Sequence, residues 1–152
     1  MPWYSPWYKK YRERFEGLLP RICLLLVLFS SVFSIYSLSA AKWPAVRDLR
    51  LNLILVLIGF LFILLGNLLP RVPKNFFIGI RTPWSLADEV IWEKTHRLGG
   101  QLFVLGGLVL LLKGFVLIGN SAFQIITAVI ALALFLYPLL HSFIVYRRLR
   151  GE

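Results

Sequence analysis

The sequence predicts an all-α membrane protein with four transmembrane helices and an interfacial amphipathic helix between the second and the third. Two observations predict this fold class. Apolar residues make up 59% of the 152 residues, and the mean hydropathy of +0.76 is well above that of an ordinary soluble domain. Four apolar runs can also cross a hydrocarbon core of about 30 Å at about 1.5 Å per residue. These runs lie at residues 22–41, 51–69, 102–118 and 122–146.

The polar interruptions between these runs predict the rest of the organisation. Residues 1–21 are basic and aromatic, and we expect this segment to lie along the membrane surface. Residues 22–152 form a single four-helix transmembrane domain. The short link at residues 118–121 predicts that the last two spans are antiparallel neighbours. The lone Cys23 excludes an intrachain disulfide.

The distribution of basic residues predicts the orientation. With an even number of spans, thirteen Lys and Arg residues share one side: they lie in the N-terminal segment, the link after the second span and the C-terminal tail. The first link carries three. The positive-inside rule therefore places both termini and the central link in the cytoplasm. A cleaved signal sequence ending near Ser39-Ala40-Ala41 is the alternative, and it would leave three spans.

The formal net charge of +10 does not predict direct nucleic-acid binding. The basic residues lie at the ends of the apolar runs, among Trp and Tyr residues, which is the pattern of a membrane interface. The predicted partner of this surface is therefore the lipid bilayer.

Small residues recur at helical spacing inside two of the spans. In the third span the glycines are seven residues apart: Gly100, Gly107 and Gly114. Such a ridge lets another helix backbone approach closely in a membrane. The first span carries a seam that we expect to be complementary: Ser30, Ser34 and Ser37.

The charged block at residues 70–101 is the main candidate for function, and we call it the motif loop. Pro70 and Pro73 end the second span. Thr82 and Pro83 are typical of a helix start, as N-cap and first helical residue. The expected helix is amphipathic. Its apolar face carries Trp84, Ala87, Ile91 and Leu98, and its polar face carries Glu89, Glu93, His96 and Arg97.

Two chemical alternatives use the polar face. Glu93 and His96 have the E-x-x-H spacing of some metal sites, but a single copy supplies only two ligands. The same residues suit acid–base catalysis only beside an activated nucleophile, which the sequence does not offer. We therefore predict no catalytic residue, no metal and no cofactor, and the chain is not expected to be an enzyme.

Residues 75–97 resemble the signature of the SdpI family of bacterial membrane proteins, through Gly79-Ile80-Arg81-Thr82-Pro83-Trp84, then Trp92 and Thr95-His96-Arg97. The resemblance extends over residues 51–146, and the chain is similar to a short member. It implies that the motif residues serve partner binding or brace the fold. They are Asn75, Gly79, Arg81, Thr82, Trp84, Glu89, Trp92, Glu93, Thr95, His96 and Arg97.

The resemblance also implies a location and a role. The location is the bacterial plasma membrane. The role is immunity to, or sensing of, a secreted membrane-active peptide toxin, with a cytoplasmic regulator such as a repressor held at the membrane. Two other hypotheses stay open. The first is that the chain is an accessory structural subunit packed by its glycine ridge into a larger membrane complex. The second is that it is a small membrane enzyme acting at residues 81–97.

Overall fold

A computed structural model of the chain describes the backbone of residues 6–48, 50–115 and 121–151, with side chains at 16–46, 53–115 and 122–151. The regular elements in these ranges are all helical. They are α1 (Pro6–Lys42), α2 (Pro44–Asp48), α3 (Arg50–Leu68), a 3₁₀ turn (Leu69–Arg71), α4 (Pro83–Ala87), α5 (Glu89–Phe115) and α6 (Ser121–Arg150).

Four helices are long and apolar enough to cross a membrane. The candidate spans are Glu16–Lys42, Leu53–Arg71, Glu89–Phe115 and Ala122–Arg150. This confirms the predicted fold class of four transmembrane helices, and the protein is a multi-pass membrane protein. The predicted link at residues 118–121 falls mostly outside the described residues.

The interfacial amphipathic helix is not a separate element. Its expected residues divide between the five-residue α4 and the first turns of α5, because Asp88 between them is extended, with φ −137° and ψ 143°. The Asp88 carboxylate accepts hydrogen bonds from the backbone N–H groups of Val90 (2.7 Å) and Ile91 (3.3 Å), and so caps α5. From there α5 continues without interruption into the third span.

The N-terminal segment is also continuous with its span. Residues 6–21 belong to α1, which is 37 residues long and contains Pro20. A helix of that length measures about 56 Å at about 1.5 Å per residue, well beyond the hydrocarbon thickness. Part of α1 must therefore extend past the hydrocarbon core.

The central helix is α5, which packs most extensively against α3 and next against α6. Two pairs of glycines join α3 and α5: a Cβ on Gly107 would lie 2.6 Å from the carbonyl oxygen of Gly59, and one on Gly100 would lie 2.6 Å from that of Gly66. Each pair brings two backbones into direct contact. The order of the pairs makes the two helices antiparallel.

Three aromatic rings fill the space where α3, α5 and α6 meet. The centroid of the Phe62 ring lies 5.4 Å from that of Phe103 and 4.1 Å from that of Phe135, and the Phe103 and Phe135 rings are 5.3 Å apart. Apolar area and ring geometry both contribute to this packing. The three helices therefore form the packed part of the bundle.

The serine seam of the first span does not meet the glycine ridge. Ser30, Ser34 and Ser37 are exposed, and the Ser34 hydroxyl donates to the carbonyl of Ser30 one turn earlier. The ridge faces α3 instead, since the backbones of Gly59 and Gly66 are within its reach. Gly114 is buried as well.

Candidate functional site

The loop between α3 and α4, residues 72–82, folds back over the first turns of α5. Asn75 organises it and is 3% exposed. Its side-chain oxygen accepts from the N–H groups of Phe77 and Ile78, both at 2.7 Å, and its side-chain nitrogen donates to the carbonyls of Pro73 (2.7 Å) and Ile78 (3.1 Å). One buried amide therefore satisfies backbone groups that no helix or sheet pairs.

Trp92 and His96, one turn apart on α5, bind the two ends of this loop. The Trp92 indole N–H donates to the carbonyl of Val72 at 2.9 Å. His96 Nε2 accepts from the N–H of Ile80 at 3.0 Å, and His96 Nδ1 lies 2.9 Å from the carbonyl of Trp92. Since Nε2 is an acceptor, the proton lies on Nδ1 and the imidazole is neutral. The two rings stack at 3.9 Å, and each residue is 1% exposed.

Gly79 allows the loop to approach His96 this closely. Its φ is +117°, a conformation that side chains disfavour, and a Cβ there would lie 2.3 Å from His96 Nε2. The glycine is therefore required by the backbone conformation and by the space beside the imidazole.

Thr82 joins the loop to α4 and α6. Its hydroxyl accepts from the Ser85 N–H at 3.1 Å, while the Ser85 hydroxyl accepts from the Thr82 N–H at 3.0 Å, a reciprocal capping box. The Thr82 and Ser142 hydroxyls are 2.9 Å apart, and Ser142 in turn donates to the carbonyl of Leu139 at 2.6 Å. Ser85 and Ser142 are fully buried, so this chain of hydroxyls fixes α4 against α6.

Trp84 and Arg81 have different surroundings. The Trp84 ring packs against α6, with its centroid 5.0 Å from that of Phe143 and 6.4 Å from that of Tyr146. Arg81 is exposed, and its guanidinium donates to the carbonyl of Phe76 within the loop.

The predicted polar face is divided by burial. Glu93 and Arg97 are exposed and Glu89 is partly buried, whereas His96 is enclosed under the loop. The expectation that His96 lies on an exposed face with these charges was therefore wrong. It shares the face of Trp92, four residues earlier, and the loop covers that face. Thr95, also fully buried, lies beside it in sequence.

The metal and acid–base alternatives both depend on His96, and in this geometry its ring nitrogens are already hydrogen-bonded. Both ring nitrogens of His96 are engaged with backbone groups, and Glu93 is exposed while His96 is not. In the part of the chain that the structure describes, no cluster of three or more His, Cys, Asp or Glu residues is placed to hold a metal ion.

Sequence reasoning missed three participants. Ser85 had a signal, because a serine three residues after Thr82 can complete a capping box. Val72 and Ser142 had none, since one contributes a backbone carbonyl and the other lies sixty residues from Thr82.

The comparisons with known proteins cover this whole network. The model of the SdpI/YfhL protein family matches residues 71–142, which begin just before Val72 and end at Ser142. The chain belongs to the SdpI family. The residues that hold the loop at 72–82 on α5 and α6 thus lie within the region that the family model matches.

One curated relative extends the match beyond that region. The "Immunity protein SdpI" of Bacillus subtilis (strain 168) is 30% identical over 106 residues, which cover 69% of this chain and 50% of that protein. The chain thus spans about half the length of the SdpI relative it matches. No solved structure matches the chain significantly.

Proposed function

We propose that this SdpI-family protein acts in the bacterial plasma membrane and protects the cell against a secreted, membrane-active peptide toxin. The observation that carries the proposal is the 30% identity to an immunity protein over 69% of the chain. The motif network supports a structural role for its buried residues, because the ring nitrogens of Trp92 and His96 bond to backbone groups of the loop and of α5.

The finer proposal concerns the exposed charges of the motif. Arg81, Glu93 and Arg97 remain on the surface, where Glu93 and Arg97 lie one helical turn apart on α5. We assign to them the docking of a cytoplasmic regulator such as a repressor. The buried residues Asn75, Trp92 and His96 brace the surface that presents these charges.

Survival of a toxin-sensitive bacterium tests the protective role. Cells expressing this protein are exposed to a panel of secreted membrane-active peptides, beside cells expressing the Bacillus subtilis relative. Higher survival on one peptide, at equal abundance of the two proteins in the membrane, is the expected result. Failure on every peptide from which the relative protects would contradict the proposal.

Two variants separate docking from bracing. Glu93→Lys with Arg97→Glu reverses both exposed charges and should abolish regulator recruitment while leaving membrane abundance unchanged. His96→Phe should lower abundance or thermal stability as well. A stable stoichiometric membrane partner after detergent extraction, together with no protection, would favour an accessory subunit instead.

A further inference from the structure

The motif side of the bundle contains an open cleft of about 410 Å³ where α1, the turn after α3 and the start of α5 meet. Leu18, Val72 and Trp92 line it, and they belong with Ile22 to one buried apolar cluster. The charged residues lining it are Arg21, Arg71, Lys74, Glu89 and Glu93. The three basic groups outnumber the two carboxylates by one, which leaves the cleft with a net positive charge.

A second cavity meets the cleft at Arg21 and extends along α1 toward Val32. It is a groove of about 440 Å³ between α1 and α3, and Arg21 lines it as well as the cleft. Its other lining residues are apolar and include Leu24, Leu28, Val32, Leu57, Phe60 and Leu64. The groove exists because α1 packs against α3 far less extensively than α5 does.

The length of the groove matches one leaflet of a bilayer. Arg21 and Val32 are eleven residues apart on α1, which is about 16 Å at about 1.5 Å per residue. Half of a hydrocarbon core of about 30 Å is about 15 Å. The basic group at one end complements the phosphate of a phospholipid, and the apolar walls over a leaflet's depth complement its acyl chain.

From this junction we infer that the protein holds one anionic phospholipid, with its phosphate beside Arg21 in the cleft and an acyl chain in the groove between α1 and α3. Arginine donates paired hydrogen bonds to phosphate oxygens. The single net positive charge of the cleft complements a lipid of one negative charge. The bound lipid fills the gap that the loose packing of α1 leaves. This site does not depend on the proposed immunity role, so either can fail alone.

Lipid retention by the purified protein tests the inference. The protein in mild detergent is titrated with phosphatidylglycerol, or with diacylglycerol carrying the same acyl chains, and bound lipid is counted by native mass spectrometry. The wild-type protein should retain phosphatidylglycerol and release diacylglycerol, which lacks the phosphate.

Two pairs of variants locate the site. Arg21→Gln should weaken phosphatidylglycerol binding about tenfold or more, because charge-assisted hydrogen bonds to the phosphate are lost. Arg148→Gln, on the exposed end of α6, should leave the binding unchanged. Leu28→Trp should fill the groove and weaken binding, while Leu132→Trp, also exposed but on α6, should not.

Three results would overturn the inference. Equal losses in Arg21→Gln and Arg148→Gln would mean that basic residues attract lipid nonspecifically. Equal retention of diacylglycerol and phosphatidylglycerol would mean that no phosphate is recognised. The third result concerns crosslinking of a hydrophobic peptide to the protein. If Leu28→Trp blocked this crosslinking and left phosphatidylglycerol binding unchanged, the groove would be a peptide site.

Discussion

Most of the side-chain hydrogen bonds that hold the motif are made to backbone groups, and the Thr82–Ser142 contact is the exception described above. Asn75, Trp92 and His96 together satisfy N–H and C=O groups of a loop that has no helical pairing of its own. Unpaired backbone groups are costly where water is scarce. The identity of each of these residues is therefore set by the position of its nitrogen or oxygen atoms.

Replacing His96 tests this at one ring. His96→Phe keeps a ring stacked on Trp92 but removes both nitrogens, which leaves the Ile80 N–H buried without an acceptor; such a loss costs about 1–3 kcal/mol. We expect a lower thermal unfolding midpoint in detergent and faster tryptic cleavage after Arg81. His96→Gln is the control, because its amide oxygen can restore the acceptor. Equal effects of the two variants would contradict the hydrogen-bond account.

Gly79→Ala tests the backbone at the same contact. The variant places a methyl group 2.3 Å from His96 Nε2 and holds alanine at a φ of +117°, where strain costs about 1–3 kcal/mol. The loop should lift from α5, again seen as faster cleavage after Arg81. Gly151→Ala is the matched control, since its φ is also positive, at +75°, but the space around it is open. A stable, protease-resistant Gly79→Ala protein would mean that the loop has room to move.

At the scale of helices, the reciprocal glycine pairs fix how α3 and α5 meet. Because both Gly59–Gly66 and Gly100–Gly107 are seven residues apart, two contacts form in register along antiparallel helices. In lipid no hydrophobic effect drives helices together, so the van der Waals contact made by close backbone approach stabilises the pair instead. The pairs therefore set the distance between these helices.

Gly107→Ala should separate these two helices. Its Cβ would meet the backbone of Gly59 and Ile63 as well as the Ile63 side chain, so the helices have to move, and overpacking of this kind costs about 1–3 kcal/mol. A lower unfolding midpoint is expected, measured by thermal or denaturant unfolding in detergent. Gly17→Ala serves as the control, because nothing lies within 4 Å of its new Cβ. An unchanged midpoint for Gly107→Ala would contradict the tight packing.

The elements show what local sequence can and cannot predict. Apolar length predicted four spans, and seven-residue spacing predicted that the glycines of α5 form a packing ridge. The partner was missed although Gly59 and Gly66 have the same spacing, because spacing does not say which helix is adjacent. The burial of His96 was missed for a related reason: the loop that covers it comes from earlier in the chain. The Thr82–Ser142 contact joins residues that no local pattern relates.

At the scale of the whole molecule, the distribution of Lys and Arg predicts that the motif faces the cytoplasm. Cysteine labelling in intact cells measures this, in a Cys23→Ser background that removes the lone native thiol. A membrane-impermeant thiol reagent should modify Ala45→Cys in the first link at once. It should reach Glu93→Cys, which is exposed within the motif loop, only after permeabilisation. Labelling in the reverse order would show that the motif loop faces the outside of the cell and would contradict the predicted topology.

The unbroken course of α5 has a structural consequence. Its 27 residues measure about 40 Å, more than a hydrocarbon core of about 30 Å, so one helix carries both the Trp92–His96 stack and the third candidate span. Gly100 and Gly107 contact α3 on one side of α5, and Phe135 of α6 abuts Gly106 on another. Because α5 is unbroken, Trp92 and His96 belong to the same helix as the third candidate span, and the loop is hydrogen-bonded directly to that helix.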